Sequence, residues 1–252
     1  MSRETASKEQ GVTAYYDRAA ANVPAFTVLN YGFHADGEPS TVPEDHPERY
    51  CLQLYEHTVR DTDLAGKRVL EVSCGRGGGA SFLFAQYGIS SYVGVDLSPE
   101  NIRIARARND GPQFRLGNAA ALDLPDRSFD VVLNVEASHL YADRRAFFAE
   151  VFRVLEAGGT FCYADGCWAD DDCTQDLHDA GFELLERREI TSNVIAALER
   201  DSARREAIFD AMAATELIDE YKDWGGVVGY RAHRRFVDHE TLYFSHRLRR
   251  PA

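Results

Sequence analysis

Glu71-Val72-Ser73-Cys74-Gly75-Arg76-Gly77-Gly78-Gly79 joins a short apolar run, Val69 to Val72, to a stretch of helical character from Gly78 to Tyr87. Glycines between a strand and a helix let the backbone turn tightly and approach a ligand without interference from Cβ atoms. As a bare string, Gly75-x-Gly77-x-x-Ala80 also satisfies the dinucleotide fingerprint, so the loop alone leaves two ligand classes open. Its surroundings separate them. Glu71 lies at the end of the strand, where a diphosphate would meet an unwanted negative charge and a cationic ligand would not. Asp96 closes the next strand, at about the distance downstream where an acid accepts hydrogen bonds from ribose hydroxyls. Asn118, in Gly117-Asn118-Ala119, follows the third strand, within reach of an adenine edge.

Outward from the loop, short apolar runs alternate with helical patterns. Strands are expected at Val69 to Val72, Ser91 to Val95, Phe114 to Leu116, Phe129 to Val135 and Gly159 to Ala164. Helices are expected at Gly78 to Tyr87, Pro99 to Arg108 and Arg144 to Leu155, with Ser98 as an N-cap before Pro99. Such alternation means an α/β fold with a doubly wound, mostly parallel sheet whose ligand crevice lies at the carboxyl ends of the strands. Gln175 to Ala180 and Phe182 to Thr191 read as one more helix and strand, and Asn193 to Glu220 as a long helix broken by Trp224-Gly225-Gly226. Thr241 to Leu248 alternates like a strand with one wet face. Ahead of the core, Val12 to Ala21 is helical, Asn30 to Pro47 is a proline-punctuated loop, and Glu48 to Val59 suits a helix packed on the main domain.

The series resembles the class I S-adenosylmethionine-dependent methyltransferases, whose first motif is an acid, a small residue and a Gly-x-Gly loop after the first strand. The resemblance covers Lys67 to Asp165, because Leu122-Asp123-Leu124-Pro125-Asp126, Phe129-Asp130-Val131-Val132 and Arg153-Val154-Leu155-Glu156-Ala157-Gly158-Gly159 follow in the family's order. It implies a Rossmann-like sheet of seven strands and S-adenosylmethionine as cofactor. Glu71 and the backbone of Ser73, Cys74, Gly75 and Gly77 would then meet the methionine part, Asp96 the ribose and Leu97 the adenine face. Asn118 and Ala119 would cradle the amino-purine, and Asn134 would end the fourth strand near the amino acid group. Ser73 stands where glycine is usual, and Asn118 where aspartate is usual. The phrases Asn30-Tyr31-Gly32-Phe33 and Glu189 to Leu198 look like a subgroup acting on natural products of polyketide, terpenoid or indole type. An enzyme of secondary metabolism moving a methyl to oxygen or carbon is implied, with a catalytically inactive ligand-binding protein and an NAD-dependent oxidoreductase as alternatives. Glu71 and the missing Tyr-x-x-x-Lys pattern argue against the last.

In Glu136-Ala137-Ser138-His139, at the rim past the fourth strand, His139 suits a proton acceptor for a hydroxyl, a holder of a substrate carbonyl, or a wall residue that only shapes the pocket. Glu136 is read with His139 as a catalytic candidate, and otherwise as a pairing partner for a lid residue or a seat for the methionine moiety. A sulfonium donor needs a roof that an open sheet does not supply. Residues 1–66 are read as a helical lid, with Tyr15, Tyr16, Tyr31 and Phe33 over the ligands and the loop between Pro24 and Pro47 providing movement. Residues 67–190 form the cofactor-binding core, and 191–252 a helical acceptor-pocket insertion, including Trp224, and a final strand.

Composition agrees with this picture. Of 252 residues 44% are hydrophobic and 27% charged, as in ordinary globular proteins. The formal charge of −13 repels phosphate backbones and anionic lipid, so the expected partner is a small-molecule acceptor rather than nucleic acid or membrane, with homo-oligomerisation left open. No apolar run spans a bilayer and Met1 to Gln10 lacks an apolar core, so a cytoplasmic location is expected. Five scattered cysteines suit a reducing compartment. Cys162, Cys167, Cys173 and His178 lack the Cys-x-x-Cys hook of zinc sites, and Asp170-Asp171-Asp172 reads as a solvated helix start, so no metal is expected.

Overall fold

Val69 to Val72 and Phe129 to Val135 are mostly apolar, without alternation, because both faces of their strands are covered. In the computed structural model, which describes residues 3–171 and 173–252, they are neighbours at the centre of the sheet. Its strands are β1 (Arg68–Val72), β2 (Ser91–Asp96), β3 (Gln113–Leu116), β4 (Phe129–Val135), β5 (Leu155–Trp168), β6 (Glu183–Glu189) and β7 (Thr241–Arg249). Their order is β3-β2-β1-β4-β5-β7-β6, with β7 antiparallel to both its neighbours and the other pairs parallel. The order reverses between β1 and β4, and the crevice of such a sheet lies outside the carboxyl ends at that point.

The helices are α1 (Arg3–Asn22), α2 (Arg49–Val59), α3 (Gly78–Gln86), α4 (Pro99–Arg108), α5 (Arg144–Val154), α6 (Thr174–Asp179), α7 (Thr191–Asp210), α8 (Ile218–Trp224) and α9 (Arg231–Val237). Leu54, Tyr55, Leu83 and Ile102 of α2, α3 and α4 cover one face of the sheet together with Val69 and Tyr92. Phe147, Phe148, Val151 and Leu177 of α5 and α6 cover the other with Leu70, Val132 and Phe161. A third cluster joins Ala19 and Val23 to Phe209, Met212, Tyr221 and Val227, so α1 and the insertion between β6 and β7 make one cap. The expected cap of α4 is present: Ser98 Oγ accepts from the Asn101 amide at 3.0 Å, with Pro99 at the first helical position.

Several expectations are corrected. α1 begins at Arg3 rather than Val12, and β5 runs on to Trp168. The long helix ends at Asp210, and α8 starts after a 3-10 turn at Thr215–Leu217 so that Tyr221 can fold back against Phe209. Residues 211–214 contain no glycine or proline, so tertiary packing overrides local propensity there. β7 has no wet face: Tyr243 and Ser245 are buried against Phe236 of α9 and His57 of α2, and Phe244 and His246 on the other side against Arg187 and Tyr163. Asp171 does not start a helix but forms a two-pronged ion pair with Arg144; Asp172, like Met1 and Ser2, lies outside the described residues.

The lid also divides differently. Residues 23–47 are fastened throughout: Glu48 accepts from the amides of Thr27 and Val28, Asn30 Nδ2 donates to the Cys51 carbonyl, and Asn193 Nδ2 donates to the His34 carbonyl. Phe33 stacks on His57 with centroids 4.1 Å apart. This segment is packed on the core in the structure, whereas α1 reaches the cleft through polar contacts and joins the cap through Tyr15 and Ala19. No helix of the described residues is long and apolar enough to cross a membrane.

Candidate active site

The carboxyl ends of β1, β2, β3 and β4 open into a cleft enclosing about 940 Å³, including its mouth, roofed by α1. Ser73, Cys74 and Gly75 form its floor beside Asp96 and Leu97, with Asn118 and Ala119 at one end and Glu136 at the other. Ser73 adopts a left-handed backbone with φ of 61°, which is the reason glycine suits that position. Its hydroxyl lies 2.6 Å from the Tyr141 hydroxyl.

Asp96 is the most heavily bonded group on the wall. Its Oδ2 accepts from the Gly75 amide at 2.9 Å, while Oδ1 accepts from the Ser98 amide at 2.9 Å and from Asn101 Nδ2 at 3.3 Å. Burial pushes its carboxyl above the usual range, against the pull of those donors. The carboxylate thus locks the glycine loop to the end of β2 and keeps lone pairs for a ligand, since each oxygen can accept more than one bond.

Glu71 is placed otherwise than expected. It is fully buried and absent from the cleft wall, with Oε1 accepting from the Tyr55 hydroxyl at 2.6 Å and Oε2 from the Tyr92 hydroxyl at 2.7 Å. Alternation along β1 turns it with Val69 toward α2, away from direct contact with a ligand. Burial raises its pKa to about 7 even though both tyrosines favour the ion. Asn134 is likewise beneath the wall, donating to the Val72 carbonyl at 2.9 Å and the Tyr141 hydroxyl at 2.8 Å. Gly77, at φ of 78°, faces Asn109 and Phe114, where a Cβ would come within 2.8 Å of both, so its role is helix packing.

A second cavity adjoins the first across Tyr16, Leu29, Glu136 and Leu140, and it is enclosed by Phe26, Tyr31, Trp224 and His139. Tyr16, Tyr31 and Trp224 therefore stand where an acceptor pocket was expected. Tyr15 and Phe33 do not: Tyr15 packs on Tyr221 and Trp224 within the cap, and Phe33 belongs to the core. Glu136, left-handed at φ of 52°, stands between the two cavities, and its Oε2 accepts from the Tyr31 amide and the Tyr243 hydroxyl, each at 2.9 Å. Burial raises its pKa to about 7.

His139 has a partner that the sequence reading missed. Its Nδ1 lies 2.7 Å from Asp165 Oδ1, and its amide donates to Asp165 Oδ2 at 3.0 Å. Asp165 is buried on β5 and also accepts from Ser138 Oγ at 2.7 Å and the Gly166 amide at 2.8 Å. Desolvation lowers the imidazole pKa, but the charge and hydrogen bond of Asp165, with Glu136 behind them, outweigh it and the net shift is upward. The same contacts hold Asp165 below the usual carboxylate range against its own burial. With Nδ1 engaged, Nε2 is left as the proton-accepting atom.

Arg205 was also missed. It is buried on α7, paired with Asp201 at 2.8 Å, and donates to the carbonyls of Gly225, Asn30 and Tyr31. Each of its three nitrogens thus has a partner, and the side chain also lines the second cavity.

The cleft suits an adenosyl sulfonium better than a dinucleotide. Its wall carries the carboxylates of Glu9, Asp96 and Glu136 and, among the described residues, no lysine, arginine or histidine, so a diphosphate would find no counter-charge while a sulfonium would. Asp96 supplies acceptors for vicinal hydroxyls, Leu97 and Ala119 a flat apolar slot, and the Ser73–Gly75 backbone the close approach.

Comparison with known proteins agrees. A methyltransferase-domain family model matches residues 70–163. The chain is 38% identical over 231 residues to a fatty-acid O-methyltransferase of Mycolicibacterium smegmatis, covering 89% of this chain and 83% of that one. It is 37% identical over 227 residues to a phthiotriol/phenolphthiotriol dimycocerosates methyltransferase of Mycobacterium tuberculosis, covering 85% of this chain and 82% of the relative. Among solved structures, geranyl diphosphate C-methyltransferase from Streptomyces coelicolor, captured with S-adenosyl-L-homocysteine, superposes with a TM-score of 0.70 at 15% identity over 96% of this chain and 98% of that one, a likeness of fold. The expected seven-stranded Rossmann-like sheet is present, and the oxidoreductase and inactive-binder alternatives give way. The chain belongs to the class I S-adenosylmethionine-dependent methyltransferases, an enzyme with S-adenosylmethionine as its cofactor.

Proposed function

We propose that the enzyme methylates a hydroxyl oxygen of a small lipophilic metabolite seated between Tyr16, Tyr31, Trp224 and His139. The observation that carries this reading is the His139–Asp165 pair at 2.7 Å beside the junction of the two cavities. The bound cofactor supplies an electrophilic methyl on a sulfonium, and a neutral hydroxyl attacks it well only if its proton has somewhere to go. His139 Nε2 accepts that proton, and Asp165 holds the ring's orientation and stabilises the imidazolium that forms. Glu136 favours positive charge at the junction. Tyr16, Phe26 and Trp224 keep the site apolar and exclude water, and much of the rate would come from holding oxygen and methyl in line. The names of the two relatives, which refer to a fatty acid and to phthiotriol lipids, support a lipophilic acceptor. Asp96 would bind the ribose hydroxyls, and Ser73 to Gly75 the methionine part.

A carboxylate acceptor fits less well. It needs no base, so the His139–Asp165 pair would have no task, and it would meet Glu136 as well as Arg205 on the wall of the second cavity. Mass spectrometry of the enzyme with cofactor and a panel of long-chain alcohols, phenols, terpenoid and indole alcohols, polyketides and fatty acids tests the reading. Methyl ethers from lipophilic hydroxyl compounds are expected. Methyl esters alone, or methylation at carbon alone, would overturn it.

A further inference from the structure

Asn118 sits where the cleft must read the edge of a purine, yet its amide is already committed. Its Oδ1 accepts from the Ala120 amide at 2.9 Å, inside a turn that the Ala121 amide closes on the Asn118 carbonyl at 3.1 Å. Its Nδ2 donates to Glu9 Oε1 at 2.9 Å. An exocyclic amine is a donor and needs an acceptor, and a carboxylate accepts more strongly than the amide oxygen of Asn118, which already serves its own backbone. The carboxylate at this end of the cleft belongs instead to Glu9, on α1; Asp96 stands beside the glycine loop and Glu136 at the far end.

Glu9 is half-buried on the cleft wall, one turn from Thr13, whose hydroxyl donates to the Glu9 carbonyl at 2.9 Å. With Oε1 held by Asn118, Oε2 remains as an acceptor. An aspartate at position 118 would repel Glu9, whereas the amide Nδ2 attracts it, so the pair is matched across 109 residues of chain. The other ties of α1 to this side are also polar: Ser98 Oγ donates to Asp17, and Lys8 Nζ donates to the Tyr141 carbonyl at 2.8 Å.

We infer that Glu9, carried by the roof helix and steered by Asn118, is the residue that recognises the 6-amino group of the cofactor's adenine, so that α1 closes fully only over a 6-aminopurine. The inference rests on the assignment of this cleft to S-adenosylmethionine. Purine recognition and roofing become one event: without the base, Glu9 keeps a single partner, and with it the helix gains a second anchor above Leu97 and Ala119. A 6-oxo purine would set its carbonyl against the carboxylate.

Calorimetry with S-adenosylhomocysteine and its 6-oxo counterpart, S-inosylhomocysteine, tests this on the full chain and on Glu9→Gln, with hydrogen exchange of α1 followed in parallel. The unsubstituted enzyme should prefer the 6-amino ligand by roughly 30-fold or more, as sites built around a polar contact reject the mismatched analogue strongly. Glu9→Gln should narrow the preference to within about threefold, because an amide can donate to the 6-oxo group as well as accept from an amine. α1 should gain protection with the 6-amino ligand and little with the 6-oxo one. Equal preference in both proteins, or equal protection of α1 by both ligands, overturns the inference. Binding of neither ligand to the unsubstituted enzyme would instead overturn the cofactor assignment, and the inference with it.

Discussion

The imidazole of His139 and the carboxylate of Asp165 are joined twice, by ring nitrogen to one oxygen and by backbone amide to the other. A pair fixed at both ends permits little ring rotation, which suits a base that must meet an oxygen along one line. His139→Ala should lower kcat by about a hundredfold or more while leaving cofactor affinity near normal. Asp165→Asn removes the charge that raises the imidazole pKa, so the acidic limb of the kcat/KM profile should move to lower pH as kcat falls. A profile whose limb stays in place would show that another group sets it.

Glu71 offers a stability test separate from catalysis. Its pKa rises from about 4.5 unfolded to about 7 folded, so the folded state favours the neutral acid. The stability contributed is fully present below about pH 4.5 and is lost as pH climbs through 7, a change of about 3 kcal/mol over that window. Glu71→Gln does not titrate. Its melting temperature relative to the unsubstituted protein should therefore improve steadily from pH 4.5 to 8, and a constant difference would refute the assignment.

Asp96→Asn keeps the shape of the loop anchor but halves its accepting capacity. Cofactor affinity measured by calorimetry should weaken by about 10- to 100-fold, the loss of charge-assisted bonds to ribose hydroxyls, and the melting temperature should fall as well, because the new NH2 faces the Gly75 or the Ser98 amide. Unchanged affinity would move the ribose elsewhere.

Amide exchange should divide the amino-terminal segment within α1. The first half of α1 meets the cofactor cleft through side-chain contacts of Lys8 and Glu9, while its second half is tied to Ser98 by Asp17 and packed in the cap through Tyr15 and Ala19, so residues 3–13 should exchange quickly alone and slowly with cofactor bound. Residues 23–47 should be protected in both states. A chain starting near Pro47 would lose Phe33 from the core and the carbonyls that Arg205 grips, so aggregation is expected rather than a folded, inactive protein. Uniform behaviour across 3–47 would contradict this division.

The strands and helices around the glycine loop were legible because each carries its own period and its own stop. Asp96, Leu97, Asn118 and Ala119 were legible because strand ends in this topology converge on one crevice. Glu71 was misread for a different reason: which face of β1 it meets depends on Tyr55 and Tyr92, brought there by packing rather than by spacing. Asp165 was hidden because a lone acid past a buried strand carries no signal until His139 lies beside it. The break after Asp210 was hidden too, since Met212-Ala213-Ala214 favours a helix and only Phe209 and Tyr221 make the turn worthwhile.

The cap inserted between β6 and β7 leaves the sheet at Ile190 and returns at Thr241, where Glu189 is paired with Phe244 on the adjoining strand. Its two ends are thus held together by ladder bonds whatever lies between them. For a loop so closed, doubling the length costs only about 0.6 kcal/mol. On the proposed placement of the acceptor, its preference can change by lengthening or recasting α7 to α9 while the strand register and the cofactor half stay as they are.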